Sequence, residues 1–240
     1  MTENIEENIA DENSASEAVR QGLRLYNKGD YEGALGVFLK IPETDLDSEI
    51  SRDLTYYTGL CYSKLNKYDD AILFLEQIVT SGVVDEKSKQ CRMILAVLYI
   101  FTGRMRLADF ELKKLLETGD ETPQIYCAIA YIAWEQKKAE EAVEWYERAL
   151  EIDGANCTAL NGLGYVLCCS GGDIARALKL CRQACESFPD NPSYLDSLGW
   201  VYNKMGMAVE AKAYLRRALE KAPGNKTIKE HLDAVVNEGL

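Results

Sequence analysis

"NPSYLDSLGWVYNKMGMAVEAKAYLRRALEKAPGN", residues 191–225, holds Leu195, Leu198-Gly199, Tyr202, Gly206, Ala211, Leu215, Ala218 and Pro223. Its features recur along the chain. An alanine in the middle of a predicted second helix stands at 34, 71, 108, 142, 177 and 211, with lags of 37, 37, 34, 35 and 34. About 12 residues before each comes a small residue in a first helix: Gly22, Gly59, Ala96, Ala130, Gly164 (13 before) and Gly199. Small residues at these facing positions let two antiparallel helices approach near the lower end of the usual spacing of about 8–10 Å. Three residues after the small one, on the same helical face, come Leu25, Tyr62, Tyr99, Ala133, Leu167 and Tyr202. Four after the alanine come Phe38, Leu75, Leu112, Tyr146, Cys181 and Leu215. Four of the six turns between paired helices contain glycine, which ends a helix cheaply in the left-handed conformation. Thr122-Pro123 and Asn191-Pro192 mark helix starts, with a capping side chain before a proline at the first helical position.

This pattern resembles the tetratricopeptide repeat family, whose helix-turn-helix unit of about 34 residues carries Leu-Gly-x2-Tyr in its first helix, then Ala, an aromatic, Ala and Pro. Residues 191–225 are the copy nearest to that pattern, and the resemblance covers about residues 15–225. It implies an all-α fold, a right-handed superhelical solenoid of antiparallel helix pairs. The units fall at 15–48, 52–85, 89–122, 123–156, 157–191 and 192–225. In the first, Gln21 replaces the expected leucine and Ile41 the expected alanine, so an atypical terminal repeat is expected. Residues 226–236 continue the helical period with Ile228, Leu232 and Val235, as a capping helix would. Residues 1–14, with Glu3, Glu6, Glu7, Asp11 and Glu12, read as a flexible acidic tail, and 237–240 as a C-terminal tail. One elongated array is expected rather than two globular domains.

Composition narrows the function classes. The 240 residues carry a formal net charge of −12, and no helix shows a sustained basic stripe, so a nucleic-acid partner is not expected. No secretory start and no apolar run of bilayer length occurs, which places the chain in the cytoplasm, or in the periplasm or envelope if a leader was removed. Eight unevenly spaced cysteines read as reduced thiols. The one histidine, His231, lies in the expected capping helix, and no phosphate-binding glycine loop is present, so neither catalysis nor a cofactor is expected. Cys157, Cys168, Cys169, Cys181 and Cys185 cluster in the fifth unit, and Cys181 and Cys185 share a helix face as half a thiolate metal site would. Cys181 occupies the large-residue position of Phe38 and Leu215, however, so packing is the reading preferred over a metal.

The resemblance also implies that positions 2, 5, 6, 9, 12 and 13 of each unit face a concave groove. The ninth positions, Leu23, Leu60, Val97, Tyr131, Tyr165 and Trp200, are all apolar or aromatic. Val19, Tyr26, Tyr56, Tyr57, Met93, Ile94, Ile100, Phe101 and Trp134 surround them, and Asn161, Asp196 and Asn203 make the last two units more polar. An apolar patch of this kind marks a partner surface. The expected protein-binding residues are Tyr56, Tyr57, Leu60, Met93, Val97, Phe101, Tyr131, Trp134, Asn161, Tyr165, Asp196, Trp200 and Asn203. Two other uses of these side chains stay open: packing between units, and occupation of the groove by the N-terminal tail through Ile5 and Ile9. The lysine, asparagine and arginine set with which family members clamp acidic chaperone tails is missing. Val19, Leu23, Tyr57, Gln90 and Ile94 stand there instead. The expectation is a non-enzymatic scaffold or adaptor that binds an apolar or amphipathic segment of another protein. The alternative is a self-associating, homo-oligomeric structural protein; the closing residues resemble bacterial repeat proteins of envelope assembly or secretion.

Overall fold

The computed structural model describes the backbone of residues 3–42 and 48–237, and side chains within these ranges from Ala15 onward. Among the described residues there are thirteen helices and no strand. The sequence placed all repeats in one array; the tertiary contacts group into two compact units, Met1–Thr118 and Gly119–Leu240. The first unit contains α1 (Glu3–Asn27), α2 (Tyr31–Phe38), α3 (Ser48–Lys64), α4 (Tyr68–Thr80), α5 (Glu86–Phe101) and α6 (Met105–Glu117). The second contains α7 (Pro123–Glu135), α8 (Ala139–Ile152), α9 (Cys157–Ser170), α10 (Ile174–Ser187), α11 (Pro192–Lys204), α12 (Ala208–Lys221) and α13 (Lys226–Asn237).

One turn geometry joins every pair. The chain leaves the first helix through a single left-handed residue, Gly29, Asn66, Gly103, Lys137, Gly171 or Gly206, with φ between 59° and 81°. The next backbone N–H donates to the carbonyl five residues back, from Asp30 to Leu25, Lys67 to Tyr62, Arg104 to Tyr99, Lys138 to Ala133, Gly172 to Leu167 and Met207 to Tyr202, at 2.7–3.0 Å. This six-to-one bond satisfies a carbonyl that the end of the helix would otherwise orphan. Four of the six left-handed residues are glycine, where the conformation is free of Cβ strain; Asn66 and Lys137 adopt it without that relief.

Packing within pairs follows the small-against-large pattern. A Cβ built on Gly22 would lie within 2.8 Å of three ring atoms of Phe38; on Gly59, 2.9 Å from Leu75; on Gly164, 2.5 Å from Cys181 Sγ; and on Gly199, 2.8 Å from Leu215. These glycines let the large residue of the second helix sit directly against the first helix backbone. The second-helix alanines are fully buried, as are Leu75, Leu112, Cys181 and Leu215. The first pair is shorter. Its helix α2 has 8 residues against 13 or 14 in the other second helices, and Ile41 is buried beyond its end.

Helix ends obey the expected capping chemistry. Thr122 Oγ1 accepts from the N–H of Ile125, and Asn191 Oδ1 from those of Ser193 and Tyr194. Asp85 and Ser88 form a reciprocal box at the start of α5, with the Arg52 guanidinium also on Asp85. The helical backbone of α1 begins at Glu3, inside the segment read as a tail. The side chains of Ile5 and Ile9, invoked for occupation of the groove, lie outside the described residues.

Candidate protein-binding groove

The second unit contains a groove of about 490 Å³. Its walls come from α7, α9 and α11, and its end from the start of α13. Five of the expected site residues meet there: Tyr131, Trp134, Asn161, Tyr165 and Asp196. Tyr131 is 39% exposed, and Trp134 meets Tyr165 edge to face with ring centroids 6.0 Å apart at 84°. Burial, and then the Glu135 carboxylate, raise the Tyr131 hydroxyl above its ordinary pKa; burial is also the largest cause of the rise at Tyr165. Both phenols are therefore neutral at physiological pH and present uncharged ring faces.

The groove floor depends on one glycine. A Cβ on Gly162 would fall 2.3–2.6 Å from the ring and hydroxyl of Tyr146, so only glycine admits this buried second-helix side chain across α9. Polar atoms of the wall are mostly spent locally. Asn191 caps α11, and Asn225 Oδ1 accepts from the N–H of Ile228 at 3.2 Å. Asn161 Oδ1 is different: it is buried with no hydrogen-bond partner. An acceptor left so costs about 1–3 kcal/mol, which a donor from elsewhere would recover.

Past the groove, α13 covers part of the expected surface. His231 stacks on Trp200 at 4.2 Å and 18°, and its Nδ1 lies 2.9 and 3.0 Å from the two carboxylate oxygens of Asp196, which is only 7% exposed. Lys204 sits over the Trp200 ring at 4.8 Å. Trp200 and Asn203 are half-buried and do not line the groove. Cys169 lies half-buried beside this cluster. Donation from Cys168, then from Tyr165 and Trp200, lowers its pKa against an opposing burial effect, whereas burial raises Cys127 and Cys181 to about 12. Among the described residues no three His, Cys, Asp or Glu side chains stand close enough to hold a metal ion.

The remaining site candidates belong to the first unit. Tyr57 packs on the core of the first pair and meets Tyr26 and Tyr56 edge to face at 5.4 and 5.2 Å. The Tyr56 hydroxyl bonds Gln90, and burial pushes its pKa up to about 12. Leu60, Met93 and Val97 are half-buried, while Phe101, 66% exposed, stacks on Tyr68 of α4. A hollow of about 640 Å³ in this unit mixes polar residues with Ile78 and Val83, and three of its charged groups are already paired, Arg52 with Asp85 and Lys87 with Asp53.

Sequence reasoning missed Tyr146, Asn191, Tyr194 and Asn225 as groove residues. Glu135, Thr158, Gly162, Ser193 and Ser197 stood at facing positions of their units but were passed over for the apolar row.

Family models for the tetratricopeptide repeat match residues 123–156 and residues 53–81 and 195–225. The chain contains tetratricopeptide repeats. It is 38% identical over 71 residues, 30% of its length, to a TPR repeat-containing protein of Pseudomonas aeruginosa, of which the match spans 12%. A tetratricopeptide repeat protein of Parabacteroides merdae superposes with a TM-score of 0.73 over 94% of this chain and 100% of the other, at 14% identity. YrrB, described as a TPR protein with an unusual peptide-binding site, superposes with a TM-score of 0.51 over 74% of this chain and 89% of its own, at 16% identity. These likenesses show the fold, an all-α array of helical repeats. Among the described residues no helix is long and apolar enough to cross a membrane.

Proposed function

We propose that this tetratricopeptide repeat protein is a non-enzymatic adaptor and that the groove of its second unit holds a segment of another protein. The observation that carries this reading is the unpartnered Asn161 Oδ1 in a groove walled by Tyr131, Trp134 and Tyr165. Aromatic walls offer area at low entropic cost, and the amide, once rotated toward the groove, supplies an acceptor for a backbone or side-chain donor of the ligand. YrrB's peptide-binding site supports the reading by analogy of fold.

The test is selection of 12-residue peptides from a random display library on the full chain, followed by measurement of each binder against Tyr131→Ala/Trp134→Ala. The double variant is expected to weaken binding at least tenfold while its circular dichroism spectrum stays helical. Failure to select any peptide, or binding that survives the double substitution, overturns the reading. Asn161→Ala provides a smaller perturbation of the same wall and is expected to weaken binding several-fold.

A further inference from the structure

The charge of the groove defines the chemistry of its occupant. Its only charged lining residues are Glu135 and Asp196, both acidic, and no Lys or Arg lines it. Asp196 faces His231 of α13, whereas Glu135 is exposed and forms no ion pair among the described residues. Three aromatic rings, Tyr131, Trp134 and Tyr165, stand beside these carboxylates. Elsewhere in the same unit such rings already carry cations from the chain itself, with Arg148 over Trp145 at 4.6 Å and Lys204 over Trp200 at 4.8 Å. Tyr131, Trp134 and Tyr165 carry no Lys or Arg among the described residues.

We infer that the groove receives a basic side chain, arginine above all, projecting from the bound segment. This deepens the adaptor reading and rests on it. A guanidinium meets every feature at once. Its planar face stacks on an aromatic ring, its N–H fork donates to carboxylate and amide oxygens, and it remains charged at all relevant pH. Asn161 Oδ1 becomes one acceptor after rotation of its amide, a soft torsion, and Glu135 the other. A carboxylate-bearing ligand finds no counter-charge there, and the formal net charge of −12 repels it at longer range.

The occupants that the chain itself provides do not match this wall. The first 19 residues contain acidic side chains and no Lys or Arg, so they bring no basic side chain to a wall bearing carboxylates. A second copy of this acidic chain meets the same long-range repulsion.

The experiment uses pools of 12-residue peptides, randomised except for one fixed central residue: arginine, lysine, glutamine, citrulline or glutamate. Each is titrated against the full chain by fluorescence polarisation. The arginine pool is expected to bind at least tenfold more tightly than the citrulline pool, which keeps the shape and loses the charge. That preference should shrink several-fold in Glu135→Gln and in 0.5 M salt, where charges at the rim are screened. Equal binding of the arginine and citrulline pools, with both lost in Tyr131→Ala/Trp134→Ala, overturns the cationic specificity and leaves the groove standing as a peptide site. Binding of no pool overturns both.

Discussion

Alanine at Gly164 tests the packing principle on which the repeats are built. Its new Cβ would lie 2.5 Å from Cys181 Sγ, 3.0 Å from the Ala177 carbonyl oxygen and 3.3 Å from the Cys181 nitrogen. Two of those three atoms are backbone, so α9 and α10 must separate rather than a side chain merely rotating. Overpacking of a close-packed contact costs about 1–3 kcal/mol, while Gly→Ala in a helix interior returns about 1 kcal/mol of propensity. The net is a loss of up to about 2 kcal/mol. Gly36 in α2 has nothing within 4 Å of its built Cβ, so Gly36→Ala keeps the propensity gain. The difference between the two variants isolates the overpacking cost, about 1–3 kcal/mol. Urea unfolding followed by far-ultraviolet circular dichroism gives the shifts in midpoint, and hydrogen exchange of α9 and α10 amides assigns them locally. In a Cys181→Ala background the closest contact is gone, and the penalty at Gly164 should fall. If Gly164→Ala stabilises the chain as much as Gly36→Ala does, the close-approach argument is refuted.

Three further outcomes follow from named residues. Lys137→Gly should stabilise the second unit by about 0.5–1 kcal/mol, because a left-handed residue with a Cβ is strained; an unchanged or lower melting temperature would oppose this. Arg52, and then the Ser88 N–H, hold the Asp85 carboxyl well below the usual carboxylate range, so its stabilisation is present above about pH 4 and is lost as pH falls through the depressed folded value. Asp85→Asn should therefore be less stable than the parent at pH 7, by about 1 kcal/mol or less for a pair whose carboxylate is partly exposed, with the gap closing in acid; a gap independent of pH would refute the ion-pair account. Finally, with its pKa lowered, Cys169 has more thiolate at pH 7 than an ordinary cysteine, and iodoacetamide should alkylate it ahead of Cys127 and Cys181 in peptide mapping. Equal rates at the three thiols would count against it.

The fold was legible because helix pairing is written in residue size. Spacing located Gly22, Gly59, Gly164 and Gly199 and, separately, Phe38, Leu75, Cys181 and Leu215; that each glycine meets the large residue of its partner helix comes from the packing. Turn geometry was legible only where glycine announced it; Asn66 and Lys137 take the same conformation because the surrounding bonds impose it. The groove was legible in part. Position along a first helix located Tyr131, Trp134, Asn161, Tyr165 and Asp196, but Tyr146 reaches the floor from the second helix through the gap left by Gly162. Trp200 obeyed the same positional rule, yet the closing helix sets His231 on its ring, a contact between residues 31 apart that no periodicity within one repeat encodes.

The shared turn also bears on how the chain acquires its structure. Each six-to-one bond closes over five residues, and each glycine-to-partner contact spans only 16 or 17 positions. Such low contact order keeps the entropy of closure small and favours rapid folding. A nascent chain leaving the ribosome can complete one hairpin of helices before the next is synthesised, so a growing polypeptide never has to expose a long apolar stretch while waiting for a distant mate.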